Sequence, residues 1–135
     1  MKQRIIFNTV SGVILVLMLV SCASQAPVSV PLEEKLAQQG FTLGEQVNKV
    51  INFQVSGWNN VDRKHVIMNF GASRNYLVTL RTSCNSLLGA TVISFSTTVG
   101  MLTDNDKLLV RDSSQHIAQC YISTIHELEK IKKTG

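Results

Sequence analysis

Histidine, aspartate and cysteine are the residues here with the most scope for chemistry, and their spacing sorts them. His65, His116 and His126 are far apart, and none has a second ligand at helical or hairpin spacing. His126-Glu127 begins like the helix of a zinc hydrolase, but Lys130 stands where the second histidine belongs, so that motif fails. A copper site built from Met68, Met101 and a histidine has no support in their spacing. Asp104-Asn105-Asp106 lacks the further acids of a calcium loop, and no nucleophile elbow, phosphate loop or dinucleotide fingerprint occurs. We therefore assign no catalytic residue, metal or cofactor. Two arrangements remain. Trp58, Asp62, Arg74 and Tyr76 form a candidate recognition patch, because aromatic and arginine side chains dominate binding hot spots. The core is the competing destination for Trp58. His65 or His116 acting with Asp62 would be the acid–base pair of an envelope enzyme.

The three cysteines are more specific. Lys2 and Arg4 precede the stretch from Ile5 to Val20, in which only Asn8, Thr9, Ser11 and Gly12 are not apolar. The uninterrupted part, Val13 to Val20, is too short to span a bilayer, which takes about twenty residues, and fits the apolar region of an export signal. Leu19-Val20-Ser21-Cys22 then resembles the bacterial lipobox, which implies cleavage before Cys22 and diacylglycerol on its sulfur. A thiol is the nucleophile that can become a stable thioether, and two or three acyl chains would hold the product on a membrane. Ala23 and Ser24 resemble the outer-membrane sorting class, so the expected location is the periplasmic face of the outer membrane. Cys84 and Cys120 remain as two thiols in an exported domain, where they are expected to form one disulfide.

Residues 1–21 thus read as a lipoprotein signal, 22–31 as a tether carrying Pro27 and Pro31, and 32–135 as one small domain. The formal net charge of +4 includes two bases of the signal, Lys2 and Arg4, and the remaining bases are scattered. Such a balance leaves no electrostatic footprint for nucleic acid. The expected partners are the membrane, through the N-terminal lipid, and another envelope protein.

Glu33 to Gln39 reads as a short helix opened by Pro31-Leu32 and stopped at Gly40. From Val50 the pattern alternates, with Ile51, Phe53 and Val55 apolar, until Gly57-Trp58-Asn59-Asn60 breaks it. His65 to Phe70 and Tyr76 to Leu80 read as a hairpin around Gly71-Ala72-Ser73-Arg74-Asn75. Ser83 caps a helical turn through Leu88. Strands follow over Thr91 to Val99, Lys107 to Arg111 and His116 to Ile122, with turns at Gly100 to Asp106 and Asp112 to Ser114. Thr124 and Glu127 have capping-box spacing and predict a closing helix with Ile125, Leu128 and Ile131 on one face. The expected fold is mainly β, a small antiparallel sheet or partly closed barrel of about six strands with short N- and C-terminal helices; an α+β arrangement is the alternative.

Arg74-x-Tyr76-Leu77-x-x-Leu80-x-x-x-Cys84-x-x-Leu87, then Leu108-x-Val110-Arg111, then Cys120-x-Ile122-x-x-Ile125-x-x-Leu128, with Gly57-Trp58, resembles an exported bacterial family known as domain of unknown function 6491. The resemblance covers roughly residues 45 to 130. It carries no assigned activity and implies no catalytic residue. The expected function is a lipid-anchored, non-enzymatic binding or structural module of the envelope. Mass spectrometry of the mature N-terminus should find lipid on Cys22, and a Cys22→Ser chain should stay uncleaved; maturation of that variant into a soluble protein would point to an ordinary signal peptide instead.

Overall fold

The computed structural model describes residues 29–97 and 100–133. The expected signal, Cys22 and most of the expected tether lie outside the described residues, as does Val99. Among the described residues one α-helix, α1 (Leu32–Gln38), is followed by nine strands: β1 (Phe41–Val47), β2 (Lys49–Ile51), β3 (Val55–Asn60), β4 (His65–Phe70), β5 (Arg74–Leu80), β6 (Ala90–Phe95), β7 (Met101–Thr103), β8 (Lys107–Asp112) and β9 (Ile117–Lys130). A 3-10 helix, Asn85–Gly89, leads into β6. The strands pair antiparallel in the order β3-β4-β5-β9-β8-β6, a nearly closed, barrel-like path of six. β1 also pairs with β9, while β2 and β7 form a separate two-stranded ribbon.

Alternation accounts for the interior. Val66, Met68 and Phe70 of β4 face inward with Tyr76, Val78 and Leu80 of β5, Leu108 and Val110 of β8, and Cys120 and Ile122 of β9. Phe53, Phe70, Tyr76 and Phe95 pack as tilted or edge-to-face rings, with centroids 5.5–6.1 Å apart. The intervening residues Ile67, Leu77 and Leu128 point outward and are nevertheless buried, because α1 lays Leu36 across them beside Phe41. β4, β5 and the second half of β9 are therefore apolar on both faces.

This double burial corrects the closing helix predicted from Thr124. Residues 117–130 are one strand, in which the register against β5 shifts between Thr79–Thr124 and Leu80–Ile122. The shift leaves Ser123 unpaired as a bulge. Ile125 then enters the inner core and Leu128 the outer one. Two residues three apart lie on opposite faces of a strand, and with both faces covered they imitate the stripe of an amphipathic helix.

Three further elements differ from expectation. Gly57-Trp58-Asn59-Asn60 belongs to β3; the irregularity lies between Val55 and Gly57, where the Ser56 hydroxyl donates to the carbonyls of Asn69 and Gly71. Glycine there marks a bulge rather than an end. The strand begun at Val50 stops at Ile51, because Asn52 takes a left-handed φ of 53° and donates to the Gly100 carbonyl. Within Gly100 to Asp106, Met101–Thr103 is not a turn but the partner of β2. By contrast α1 opens after Pro31 and stops before Gly40, whose φ of 86° favours glycine.

Cys84 and Cys120 are disulfide-bonded, with Cα atoms 6.1 Å apart, joining the segment after β5 to the first half of β9. Closing so long a loop should contribute up to about 4 kcal/mol through the entropy of the unfolded chain. Replacing both cysteines by serine should lower the unfolding free energy in urea by about 2–4 kcal/mol. Unchanged stability would show that the bond constrains nothing.

Candidate functional site

The turn joining β3 to β4 is short and charged, Val61-Asp62-Arg63-Lys64, and His65 opens β4 directly after it. A carboxylate next to a tight turn can take the place of the carbonyl that the backbone lacks there, and Asp62 does so. Its Oδ1 accepts from the amides of Lys64 (2.8 Å) and His65 (2.9 Å) and lies 2.8 Å from His65 Nδ1. Its Oδ2 accepts from Lys35 Nζ of α1 at 2.9 Å. Partial burial by itself would raise the Asp62 carboxyl, but the Lys35 ammonium, the Lys64 amide and His65 outweigh it and hold the pKa at about 2. An ionised carboxylate can only accept, so the proton facing it belongs to Nδ1. In the neutral imidazole Nε2 is then the acceptor.

Backbone bonds fix this turn from both sides. Cys84 N donates to the Arg63 carbonyl at 2.7 Å and Leu80 N to the Lys64 carbonyl at 2.8 Å. The Asn60 side-chain amide donates to the Leu87 carbonyl, and the Gln39 side chain, just after α1, donates to the Asn60 carbonyl. Between α1, the turn and the segment from Ser83 to Leu88 lies an open cleft of about 560 Å³. Val61 and Leu88 give it apolar walls, and Leu88 is 58% exposed. Lys35, Arg63, Lys64 and His65 line the rest with Asp62 and Ser83. Among the described residues Lys35 and His65 pair with Asp62, while Arg63 and Lys64 make no ion pair.

The four residues of the candidate patch do not converge. Trp58 pairs with Met68 and Met68 with Tyr76, a cross-strand row in which Tyr76 is core and Trp58 packs against it. Arg74 sits at the opposite end of β4 from Asp62, where its guanidinium donates to the carbonyls of Ile51 (2.9 Å) and Asn52 (2.6 Å). It clamps the bend after β2. Of the two histidines considered with Asp62, His65 meets it; His116 lies on the β8–β9 turn, where its amide donates to Asp112. His126 is on β9, with Nδ1 buried and unpartnered. Among the described residues no three His, Cys, Asp or Glu side chains gather as metal ligands.

Sequence reasoning missed Lys35, Arg63, Lys64, Ser83 and Leu88. The break expected at Gly57-Trp58-Asn59-Asn60 falls one step before the actual turn, and the approach of α1 and of the 3-10 helix is tertiary.

Because the folded pKa of Asp62 lies below its ordinary value, the carboxylate network stabilises the fold above about pH 4 and loses that contribution as pH falls towards 2. The melting-temperature gap between the parent and Asp62→Asn should therefore be largest at neutral pH and narrow below pH 4. A gap that stays constant down to pH 2 would mean that the ionised form contributes nothing.

Comparison with curated proteins and with solved structures found no match. A family described as "Family of unknown function (DUF6491)" matches residues 2–134. The match covers nearly the whole sequence, including α1, the β3–β4 turn and the segment from Ser83 to Leu88 that build the cleft, and the chain belongs to that family.

Proposed function

We propose that the chain is a lipid-anchored envelope protein, held through Cys22 at the periplasmic face of the outer membrane, whose β domain is a non-enzymatic binding module. Its ligand is an envelope component with an anionic group and an apolar part, taken into the cleft beside Asp62. The observation that carries this reading is the lining of the cleft: among the described residues Arg63 and Lys64 stand without ion-pair partners next to Val61 and the exposed Leu88. Cations beside apolar walls favour a ligand that is charged at one end and greasy at the other. The anchoring half rests on the resemblance around Cys22, and the bonded Cys84–Cys120 pair suits an oxidising compartment. A photo-crosslinking residue at position 88, activated in intact cells, should yield a discrete adduct that a residue at position 114 does not. Arg63→Glu with Lys64→Glu should abolish it. If position 88 gives no adduct, the binding reading fails.

A second reading draws on the Asp62–His65 pair, in which Nε2 of an oriented imidazole would serve as a general base in the same cleft. It requires turnover of an ester or phosphoester that His65→Ala removes. Binding that persists in His65→Ala without turnover favours the module.

A further inference from the structure

The outer surface of the barrel is treated differently in its two halves. Over β4, β5 and the second half of β9, α1 buries the outward apolar residues Ile67, Leu77 and Leu128. Over β6, β8 and the first half of β9, no described element does so. Cross-strand register arranges that second half in three rows: Tyr121 beside Lys107; Gln119, Leu109 and Ser94; Ile117, Arg111 and Val92. Val92, Ile117 and Tyr121 are 46%, 52% and 49% exposed. The rows contain two cations and no carboxylate. Lys107 lays its stem along the sheet, with Nζ 5.1 Å from the Tyr121 ring centroid and 3.3 Å from Gln119 Oε1.

We propose that this face lies on a bilayer and that its partner is a surface of anionic phospholipid headgroups. An aromatic ring, branched aliphatic side chains and long cationic stems on one sheet are the groups that settle at an interface: the apolar parts enter the acyl boundary while the ammonium and guanidinium stay with the phosphates. Charge complementarity selects anionic lipid over zwitterionic lipid, since nothing in the rows offsets Lys107 and Arg111. Proximity adds to this and rests on the anchoring proposed above. From Cys22 to Leu32 the chain can reach at most about 35 Å, so a modest interfacial affinity acts at high local concentration. Docking of the face would hold the domain against the membrane in one orientation.

The test uses the full chain with the half-buried Trp58 retained as a reference on another part of the sheet and a second tryptophan introduced as Tyr121→Trp, with Ile117→Trp as the alternative should the first fail to fold. Vesicles contain phosphatidylglycerol and a brominated phosphatidylcholine, whose bromines quench tryptophan at the acyl boundary. Emission from the introduced tryptophan should be quenched, and Lys107→Glu with Arg111→Glu should weaken the vesicle affinity about tenfold. Quenching that ignores this charge reversal overturns the anionic assignment. The N-terminal mass and flotation of the same sample report the anchor separately. A lipid-modified chain that floats without quenching overturns the face and leaves the anchor, as when a second copy or another protein covers these rows. An unmodified chain that is still quenched by added vesicles keeps the face and removes the anchor. Neither modification nor quenching removes both.

Discussion

The backbone ladder of β9 is the interaction on which the other elements depend. Over fourteen residues this strand pairs with β5, β1 and β8, and it carries one half of the disulfide. A straight strand would present alternate residues to one core throughout. The bulge at Ser123 instead re-phases the chain, so that Cys120, Ile122 and Ile125 serve the barrel interior while Leu128 reaches the layer under α1. β1 approaches the same strand so closely that a Cβ on Gly44 would lie 2.8 Å from the Glu127 carbonyl oxygen. Only glycine fits there, and it sits where the β1 register shifts.

The cleft is a by-product of how α1 is held. Burial of Leu36 supplies most of the attraction between helix and sheet, since a partly exposed ion pair such as Lys35–Asp62 is worth at most about 1 kcal/mol. The ion pair instead fixes where the helix ends relative to the β3–β4 turn. Asp62 thereby has two structural duties, closing its own turn and receiving α1, and both leave the imidazole of His65 oriented by one ring nitrogen.

Much of the fold was legible because period-two patterning is a direct image of one-sided burial. His65 to Phe70, Tyr76 to Leu80 and Lys107 to Arg111 fall on strands for that reason, and the six-strand estimate matches the barrel path. Legibility failed where burial was two-sided, at Ile125 and Leu128, and where glycine signalled a bulge, at Gly57. β1 went unread because its pattern has only one buried position, Phe41, and its place is set by β9 far along the chain. The Cys84–Cys120 pairing needed only elimination among three thiols. The cleft needed the approach of Lys35 and Leu88 to Asp62, and nothing local encodes such a meeting. Trp58, Arg74 and Tyr76 show the converse: residue types suited to recognition are equally suited to a core row or a loop clamp, and only their surroundings decide.

The place of β9 in the sequence has a kinetic consequence. It follows every strand it joins, so β1, β5 and β8 all wait for a partner downstream of themselves, and Phe41 pairs with Lys130 across almost the whole domain. Contacts of such long separation make the barrel slow to nucleate. A chain emerging N-terminus first therefore stays open until its last strand is delivered. Closure of the barrel is then a late event, in which β9 joins the β3–β4–β5 meander to the β6–β8 pair.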